Sequence, residues 1–501
     1  MLPILTSSQI READAYTITH EPIASVYLME RAAAAFVSCF IDQYPDKAKS
    51  IAVYCGTGNN GGDGLAIARM LYRFSYQNIS VKIARFSDRS TDDFIENFKR
   101  IRHKGIELLE IKTGEALPAE NADIIIDALL GTGLNKPLHG DFERLVKHLN
   151  DLSKTIVAVD VPTGFYCDGD IPTGITAIQS NLTITFQQPK VNFLLPESAP
   201  YIERFAVVDI GLDRGFIRRL NSAFQFTEEA DIGKMLKPRA AFSHKGTYGH
   251  ALIIAGQPET MGAALLCSSA CVHTGAGLTT ACIPESGLTA LNSLMPEVMA
   301  IVRLGIKMMD IEWDTFSAIA IGPGLGMKRE ALTLLKETFD KFNAPMVIDA
   351  DALNLLAENP ELLKKIPKGS ILTPHMKEFD RLFGEHKTWW ARLETMRLKA
   401  KEYQLNIVLK NQYTVTGTPD GKLYFNPTGN PAMASGGMGD VLTGVITALL
   451  AQKYSPENAC ILGTYLHGKS GDDMALPDKL AVVLAGQVAK HIPVVMAKYK
   501  A

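Results

Sequence analysis

The sequence has no long apolar run, no large excess of charge of one sign and few cysteines. No segment approaches the ~18 uninterrupted apolar residues of a membrane span, so we expect no membrane partner. The N-terminus has no basic start and only a short apolar stretch, which disfavours a secretory signal. A formal net charge of −3 in 501 residues provides no general basic field for nucleic acid. These absences predict a cytoplasmic protein that binds neither nucleic acid nor membranes.

Cysteine is scarce and irregularly spaced, with seven residues scattered over the chain. An odd number without a framework of pairs favours free thiols in a reducing compartment. Cys267 and Cys271 lie one helical turn apart and could ligate a metal, but no second pair accompanies them. We therefore expect both thiols on the core face of a helix.

What the sequence does contain is an alternation of short apolar strands with helical segments. Its length of 501 residues predicts two or three domains. Residues 7–43 are predicted to be helical, and residues 51–55 form an apolar strand before a helix over residues 64–72. Strands this apolar, alternating with helices, predict a parallel sheet covered on both faces. Further strands are predicted over residues 79–86, 124–129, 155–159, 182–186 and 205–209.

A polar, mixed stretch over residues 215–234 interrupts this pattern and predicts a domain boundary. The alternation restarts with a strand over residues 251–255 and a helix of small residues over 263–275. The motifs of the two halves differ, so they are not a sequence repeat. We expect an α/β protein with two domains, residues 1–220 and residues 228–501.

Each half carries a glycine-rich loop beside an aspartate and before a helical segment. Residues 55–64 are Cys-Gly-Thr-Gly-Asn-Asn-Gly-Gly-Asp-Gly, and residues 430–440 are Asn-Pro-Ala-Met-Ala-Ser-Gly-Gly-Met-Gly-Asp. Glycine lets backbone N–H groups turn towards a phosphate, and a helix N-terminus favours its charge. Two such loops predict two active sites for phosphorylated small molecules.

In the first half, polar residues follow several predicted strands. Residues 56–61 fit the dinucleotide-binding pattern Gly-x-Gly-x-x-Gly after a strand. Asp127 and Asp160 end two later strands. Because the carboxyl ends of parallel strands converge on one crevice, we expect both to meet Asn60 and Thr163 there. The alternative is that the aspartates only cap helices or terminate strands.

Three motifs of the first half together resemble the NAD(P)H-hydrate epimerase family over about residues 1–215. They are Asn-Asn-Gly-Gly-Asp-Gly at residues 59–64, Asp-Ala-Leu-Leu-Gly-Thr-Gly at 127–133 and Asp-Val-Pro-Thr-Gly at 160–164. The resemblance implies a Rossmann-like domain that interconverts the R and S hydrates at C6 of the nicotinamide ring. It also implies that Asp160 is catalytic and moves protons as a general acid and base.

The same resemblance implies a potassium site formed by Asn60, Asp127 and Thr163. Their oxygens suit a hard cation, and threonine keeps the hydroxyl where serine is more usual. The implied substrate-binding residues are Asn59, Asn60, Gly61, Gly62, Asp63, Gly131, Thr132, Gly133, Leu134, Asn135, Lys136, Pro137 and Asp160.

In the second half, the glycine loop at residues 436–440 precedes a predicted helix over residues 441–450. Glycines at a helix N-terminus form an anion hole, and Asp440 can act as a base towards a hydroxyl. Phosphoryl transfer requires this combination of charge stabilisation and an oriented nucleophile. The alternative is an aspartate that caps the helix.

Further motifs follow predicted strands at residues 322–326, 349–354, 373–378 and 410–414. Together they resemble the ribokinase-like superfamily, and within it the ADP-dependent NAD(P)H-hydrate dehydratases, over about residues 230–498. The resemblance implies transfer of the terminal phosphate of ADP to the hydroxyl of the S hydrate, with Mg²⁺. Elimination of phosphate would then give NAD(P)H, AMP and phosphate. Both halves in one chain match bifunctional bacterial nicotinamide-repair enzymes.

This second resemblance also assigns residues. Asp440 is the implied catalytic base, and Glu378 is either an organiser of Mg²⁺ through water or a helix-surface charge. The implied hydrate-binding residues are Ala263, Gly324, His375 and Asp440. The implied nucleotide-binding residues are Lys410, Asn411, Gln412, Tyr413, Thr414 and Gly439.

One of these assignments, His375, has an alternative, and another, Asn411, departs from the family pattern. His375 could be a packed or capping residue, although its motif favours substrate contact. Asn411 stands where the loop usually has glycine, so a glycine-specific backbone angle there would be strained.

Residues 463–470, Gly-Thr-Tyr-Leu-His-Gly-Lys-Ser, satisfy the phosphate-binding pattern Gly-x-x-x-x-Gly-Lys-Ser. Such a loop should follow an apolar strand and open a helix. Here residues 458–466 are predicted to be a helix that leads into the motif. We therefore expect no phosphate-binding loop at this position.

The sequence thus predicts two three-layer αβα domains, the first Rossmann-like and the second ribokinase-like. The expected ligands are NAD(P)H hydrates and ADP, with K⁺ in the first domain and Mg²⁺ in the second, in a homo-oligomer. One alternative is a ribokinase-like small-molecule kinase with a regulatory N-terminal half. The other is a nucleotide-binding regulatory or scaffold protein without catalysis.

Overall fold

The computed structural model describes residues 1–102, 104–134, 136–303 and 311–499. The chain divides into two compact units. The N-terminal unit comprises Pro3–Ser222 and Thr388–Trp390. The C-terminal unit comprises Met1–Leu2, Ala223–Lys387 and Ala391–Ala501. The chain passes between the two main segments at residues 222–223, inside the polar stretch noted above.

The chain begins with a short strand, β1 (Leu2–Ile4), and continues into the α/β elements of the N-terminal unit. These are α1 (Ser7–His20), α2 (Ser25–Gln43), β2 (Ile51–Cys55), α3 (Asn59–Arg73), β3 (Ile79–Arg85), α4 (Asp92–Ile101), β4 (Glu107–Lys112), β5 (Ile124–Ala128), α5 (Gly140–Asp151), β6 (Thr155–Val159), β7 (Leu182–Phe186), β8 (Phe205–Val208) and α6 (Arg214–Arg219).

A seven-stranded parallel sheet forms the middle of this unit, in the order β4-β3-β2-β5-β6-β7-β8. Counted from β2, the first six strands have the order 3-2-1-4-5-6, which is that of Rossmann folds. The order reverses between β2 and β5, and ligands bind such sheets beyond the carboxyl ends of the strands at that point. The Rossmann-like prediction is confirmed.

Both faces of this sheet are buried, because alternate residues of a strand point to opposite faces. In β2, Ile51 and Val53 belong to one hydrophobic cluster. Ala52 and Tyr54 belong to another. The predicted parallel sheet with two covered faces is therefore present.

Some elements differ from the sequence interpretation. Residues 7–43 form two helices, α1 and α2, rather than one. Pro22 lies between them, and proline has no N–H to continue a helix. The interpretation also omitted α4 and the largely exposed strand β4.

The C-terminal unit is likewise α/β. Its elements are β9 (Phe224–Phe226), α7 (Glu229–Met235), β10 (His250–Ile254), α8 (Met261–Thr274), β11 (Leu278–Pro284), α9 (Leu288–Leu294), β12 (Met299–Arg303), β13 (Ala318–Ile321), α10 (Arg329–Lys341), β14 (Val347–Ile348), α11 (Asp351–Glu358), β15 (Ile371–Leu372), α12 (Met376–Phe383), α13 (Trp389–Tyr403), β16 (Asn406–Leu409), β17 (Val415–Gly417), β18 (Leu423–Phe425), α14 (Met438–Ala451), α15 (Pro456–Ala475) and α16 (Ala485–Lys498).

Its sheet has eleven strands in the order β1-β9-β18-β17-β16-β15-β14-β13-β10-β11-β12. Strands β10 to β16 pair in parallel, whereas β16, β17 and β18 form an antiparallel meander. Ala251 and Ile253 pack in one cluster, and Leu252 and Ile254 pack in another. Helices therefore cover both faces, which confirms the predicted three-layer arrangement.

The two cysteines one helical turn apart lie in the core. Cys267 and Cys271, both on α8, are fully buried in the larger cluster of the C-terminal unit. The core-face prediction is confirmed. All seven cysteines are free thiols in this structure.

Among the helices that the structure describes, no single one is both long and apolar enough to cross a membrane. The helices α1 and α2 reach that length and apolar composition only when taken together, across a bend of 116°.

Candidate active sites

Glycines before and within the first turn of α3 allow close packing of the loop ahead of this helix, both on the residue that follows β5 and on the helix itself. A Cβ atom on Gly56 would lie 2.0 Å from the Leu129 carbonyl oxygen. A Cβ atom on Gly61 would lie 1.9 Å from the Gly56 carbonyl oxygen. Gly61 and Gly62 are both buried, so close packing alone requires glycine at these positions. This packing places the first turn of α3 at the switch point of the sheet.

Asp127, near the end of β5, is fully buried and binds the Thr163 segment. Its Oδ2 accepts a hydrogen bond from the Thr163 backbone N–H (2.7 Å), and its Oδ1 accepts one from the Thr163 hydroxyl (2.7 Å). A third bond comes from the Leu129 N–H (3.2 Å). Burial raises the pKa of Asp127 to about 6, and these hydrogen bonds oppose that shift. Two of the three predicted potassium ligands are therefore in direct contact.

Asn60 lies beside the second glycine turn, the loop that follows β5. A Cβ atom on Gly131 would lie 3.3 Å from Asn60 Cγ. The Asn60 amide nitrogen is buried and has no hydrogen-bond partner among the described residues. In the loop, Thr132 and Leu134 are half-buried, while Gly133, Lys136 and Pro137 are exposed. The predicted substrate residue Asn135 lies outside the described residues.

Asp160 follows β6 with a φ of 61°, in the left-handed region that favours glycine. Its Oδ1 contacts Lys190 Nζ (2.9 Å), the Thr185 hydroxyl (3.0 Å) and the Phe186 N–H (2.9 Å). No described hydrogen bond reaches Oδ2. The carboxylate is thus fixed through one oxygen, which leaves the other for a ligand.

Lys190 is the partner that the sequence interpretation did not assign. Its side chain is 1% exposed, and Nζ also donates to the Phe186 carbonyl oxygen (3.2 Å). A buried lysine needs such partners because desolvation disfavours its charge. Its position, four residues after the end of β7, was the only sequence indication of this role.

Two further carboxyl groups lie within electrostatic reach of Asp160. Burial raises the pKa of Asp14, on α1, to about 6, the charge of Asp160 adds to the shift, and Lys190 opposes it. Burial and the charges of Asp160 and Asp14 raise the pKa of Asp63 well above its usual range. The N-terminal site therefore holds groups that can exchange protons near neutral pH.

In the C-terminal unit, α14 begins at the second glycine loop. Gly437 is its N-cap with a φ of 90°, and no side chain caps the helix there. The first-turn N–H groups have no intrahelical acceptors and can bind an anion. Asp440 lies in this turn, half-buried, and no described hydrogen bond engages its carboxylate. The alternative of a purely capping aspartate is not supported.

The surroundings of Asp440 favour its protonated form and so raise its pKa. Burial raises the pKa of Asp440 to about 7, and the charges of Asp349 and Asp351 add to this shift while Lys410 opposes it. An acid–base group works best when its pKa lies near the working pH. Asp440 therefore suits the role of a general base.

Asp349 and Lys410 form an ion pair beside the glycine loop. Lys410 Nζ lies 3.0 Å from Asp349 Oδ1, and the Thr443 hydroxyl donates to Oδ2 (2.7 Å). A Cβ atom on Gly439 would lie 3.4 Å from Lys410 Nζ, so the ammonium reaches the start of α14. Asp349 lay in a motif noted from the sequence, but no role was assigned to it.

His375 caps a helix in this structure. Its Nδ1 accepts hydrogen bonds from the N–H groups of Lys377 (3.1 Å) and Glu378 (3.3 Å) at the start of α12. Glu378 Oε2 in turn accepts from the His375 N–H (2.8 Å). Glu378 is 6% exposed, so its interpretation as a surface charge was wrong. Half of the His375 side chain remains exposed and available to a ligand.

The remaining predicted hydrate-binding residues lie at the ends of neighbouring elements. Gly324 has a φ of 55°, and the Thr260 hydroxyl donates to its carbonyl oxygen (2.7 Å). Thr260 immediately precedes α8, which carries the half-buried Ala263. His375 and Lys410 pair through an isolated parallel β-bridge.

A cavity of about 290 Å³ opens beside the glycine loop. Of the predicted nucleotide-binding residues, Lys410, Asn411, Gln412, Thr414 and Gly439 line it, and Tyr413 does not. The backbone of Asn411 is not in the positive-φ region, so asparagine in place of glycine introduces no strain. Thr464, His467 and Gly468 of α15 also line the cavity.

The glycine-lysine motif at residues 463–470 lies wholly inside α15. The Lys469 ammonium pairs with Asp473, one turn further along the helix (2.9 Å). Because a phosphate-binding loop must precede a helix, the motif cannot act as one. This prediction is confirmed.

The fold and the two sites define a two-domain α/β enzyme. One site gathers buried carboxyl groups at the switch point of a Rossmann-like sheet, and the other places Asp440 in the first turn of a helix that no side chain caps. Residues 25–192 match the family described as the N-terminus of YjeF-related proteins. Residues 251–494 match the family described as NAD(P)H-hydrate dehydratase.

Full-length relatives identify the family more closely. The bifunctional NAD(P)H-hydrate repair enzyme of Moorella thermoacetica is 33% identical, over 98% of this chain and 96% of the relative. The chain therefore belongs to the family of bifunctional NAD(P)H-hydrate repair enzymes.

Two solved structures are similar to the C-terminal unit. A ribokinase-like superfamily protein of Enterococcus faecalis has a TM-score of 0.50 and 28% identity, covering 56% of this chain and 98% of that one. The ADP/ATP-dependent NAD(P)H-hydrate dehydratase of Bacillus subtilis, co-crystallised with ATP and Mg²⁺, has a TM-score of 0.49 and 33% identity. The match covers 55% of this chain and 99% of the Bacillus subtilis chain.

Proposed function

We propose that the N-terminal unit epimerises NAD(P)H hydrates and that the C-terminal unit dehydrates the S hydrate with ADP. The observation that supports this best is the position of Asp440 in the first turn of α14, where open N–H groups adjoin a nucleotide-sized cavity. The full-length similarity to bifunctional repair enzymes supports both activities in one chain.

Asp160 is the proposed acid–base group of the epimerase. Its carboxyl protonates the C6 hydroxyl, water leaves, and the nitrogen lone pair stabilises the cation that remains. Water then adds to the other face of the ring and returns a proton to the carboxylate. Lys190, Thr185 and the Phe186 N–H hold Oδ1, so the proton moves at Oδ2.

Asn60, Asp127 and Thr163 are the proposed potassium ligands. Asp127 is fully buried, and within the described chain no lysine or arginine forms an ion pair with it. A buried carboxylate without a cationic partner fits a bound cation, and the amide and hydroxyl oxygens suit K⁺. The ion would supply positive charge beside the substrate loops.

Asp440 is the proposed base of the dehydratase. It removes the proton of the C6 hydroxyl, whose oxygen then bonds to the terminal phosphorus of ADP as AMP leaves. The ring nitrogen lone pair expels phosphate, and loss of the C5 proton completes NAD(P)H. The N–H groups at the start of α14 and Lys410 stabilise the transferring phosphoryl group.

Mg²⁺ is the proposed metal of this reaction. Among the described residues no group of three or more His, Cys, Asp or Glu could hold a metal ion on its own. Magnesium commonly binds through one or two carboxylates together with substrate phosphates, which fits an ion that enters with ADP.

The test is turnover of mixed R and S hydrates with ADP, Mg²⁺ and K⁺, followed by NADH absorbance and phosphorus NMR. We expect NADH, AMP and free phosphate from the native chain, and no NADH from Asp440→Asn. Replacing K⁺ with choline should slow epimerisation only. A stable phosphorylated acceptor without NADH would instead support the small-molecule kinase.

A further inference from the structure

The part of the cavity lining that α15 contributes includes a histidine, His467, to which no sequence motif assigned a role. Residues of α15 lining the cavity are Thr464, His467 and Gly468. The lining also includes the segment that begins at Lys410 and the first turn of α14. His467 therefore shares the cavity with the charged and anion-binding groups.

Most polar side chains of the lining already bond to the protein. Asn426 donates to the carbonyl oxygens of Thr428 (3.0 Å) and Thr464 (3.3 Å). Asn430 donates to Asp472 (2.8 Å) and accepts from the Ala432 N–H (3.0 Å). These groups shape the cavity and have little capacity left for a ligand.

His467 differs from these groups. Its Nε2 atom is buried and has no hydrogen-bond partner among the described residues. Burial lowers the pKa of His467 to about 4, nearby Lys410 acts in the same direction, and a backbone hydrogen bond with Met438 opposes both, so the ring is neutral at pH 7. A buried polar nitrogen without a partner is unfavourable, and a bound ligand can supply the missing hydrogen bond.

The neighbouring Gly468 fixes the position of His467. A Cβ atom on Gly468 would lie 2.5 Å from the Thr428 carbonyl carbon and oxygen. Glycine therefore lets α15 contact the backbone of the cavity loop, and the helix is held rigidly there. This close contact explains the glycine in the Gly-x-x-x-x-Gly-Lys-Ser pattern without any phosphate binding.

We propose that His467 binds the uncharged nucleoside part of ADP and so contributes to nucleotide specificity. This inference rests on the proposed nucleotide site. A neutral ring suits a ribose hydroxyl or a base edge, whereas Lys410 and the start of α14 suit the phosphates. The histidine is a binding residue, and it takes no part in moving the proton from the hydrate.

The test compares His467→Ala, His467→Gln and a control, Lys469→Ala, which lies on the same helix but does not line the cavity. ADP affinity is measured by calorimetry, so that the result does not depend on turnover. We expect roughly 3- to 10-fold weaker ADP binding in His467→Ala, a smaller loss in His467→Gln and no change in the control. Unchanged thermal unfolding and epimerase rate establish that the variants are folded.

Nucleotide analogues identify the contacted group. 2′-Deoxy-ADP, 3′-deoxy-ADP and inosine 5′-diphosphate each alter one nucleoside group. The analogue without the contacted group should bind the native protein weakly, and His467→Ala should add no further loss. Unchanged ADP affinity in His467→Ala, or an equal loss with every analogue and with pyrophosphate, would overturn the proposal. If ADP binds through His467 but no hydrate is dehydrated, only the proposed function fails.

Discussion

At the scale of single residues, the proposed chemistry depends on carboxyl groups whose surroundings shift their pKa values. Asp440 combines burial with two neighbouring aspartates, and a single lysine offsets them in part. Removing the charge of a neighbouring aspartate should therefore lower the pKa of Asp440 and shift the pH dependence of the reaction to lower pH.

We expect kcat/KM for dehydration to fall as the pH drops through about 7, because a protonated Asp440 cannot accept the hydroxyl proton. In Asp349→Asn this acidic limb should move to lower pH, since the charge of Asp349 raises the pKa of Asp440. The measurement is a pH profile with saturating ADP.

Asp340→Asn is the matched control for that profile. Asp340 is an exposed carboxylate of the same unit, paired with Lys365, and its loss should leave the limb in place. A limb that does not move in Asp349→Asn would contradict the proposed electrostatic control of Asp440.

Several residues at these sites were beyond prediction from the sequence. Lys190, Asp14 and Asp349 lie in separate segments and meet the proposed catalytic groups only through packing. A charged residue after a strand or on a helix is common, so its type alone does not distinguish a buried partner from a surface residue. His375 shows the same limit, because a capping and a ligand-binding histidine have the same local sequence.

At the scale of elements, glycine determines how closely the helices approach the groups that carry function. Gly444 of α14 faces α8, and a Cβ atom there would lie 2.1 Å from the Cys267 carbonyl oxygen. The backbones of the two helices are therefore in close contact at this point, and α14 carries Asp440 in its first turn.

Gly444→Ala should lower the free energy of unfolding of the C-terminal unit by about 1–3 kcal/mol or more, since the added methyl group overlaps backbone atoms. Thermal or denaturant unfolding measures this effect. Gly233→Ala is the control: this glycine lies in α7 with no atom near its Cβ position. Alanine there should be neutral or stabilising by up to about 1 kcal/mol. Equal stability of the two variants would exclude tight packing at α8.

At the scale of the whole molecule, one chain joins two reactions that share a substrate. A stereospecific dehydratase uses one isomer, and an epimerase supplies it from the other. The two activities should therefore be separable by single substitutions in different units.

With mixed hydrates, Asp160→Asn should convert the S fraction to NADH and then stop, because the R fraction cannot be epimerised. The loss in epimerase rate should be on the order of 10²–10⁴-fold. Adding Asp440→Asn protein, which keeps an intact epimerase site, should restore full conversion. Complete conversion by Asp160→Asn alone, at the native rate, would refute the assignment.

The sequence by itself determined the two α/β domains, the strands of the first sheet except β4, the parallel strands β10 and β13 to β16 of the second, and the motifs at the carboxyl ends of these strands. Apolar alternation and glycine spacing are local, so they can be read without knowing which segments meet. Only the tertiary structure decided that Lys190 holds Asp160, that Lys410 pairs with Asp349 and that His467 faces the cavity. These contacts join residues far apart in the chain, and their free energies depend on burial, which no local pattern specifies.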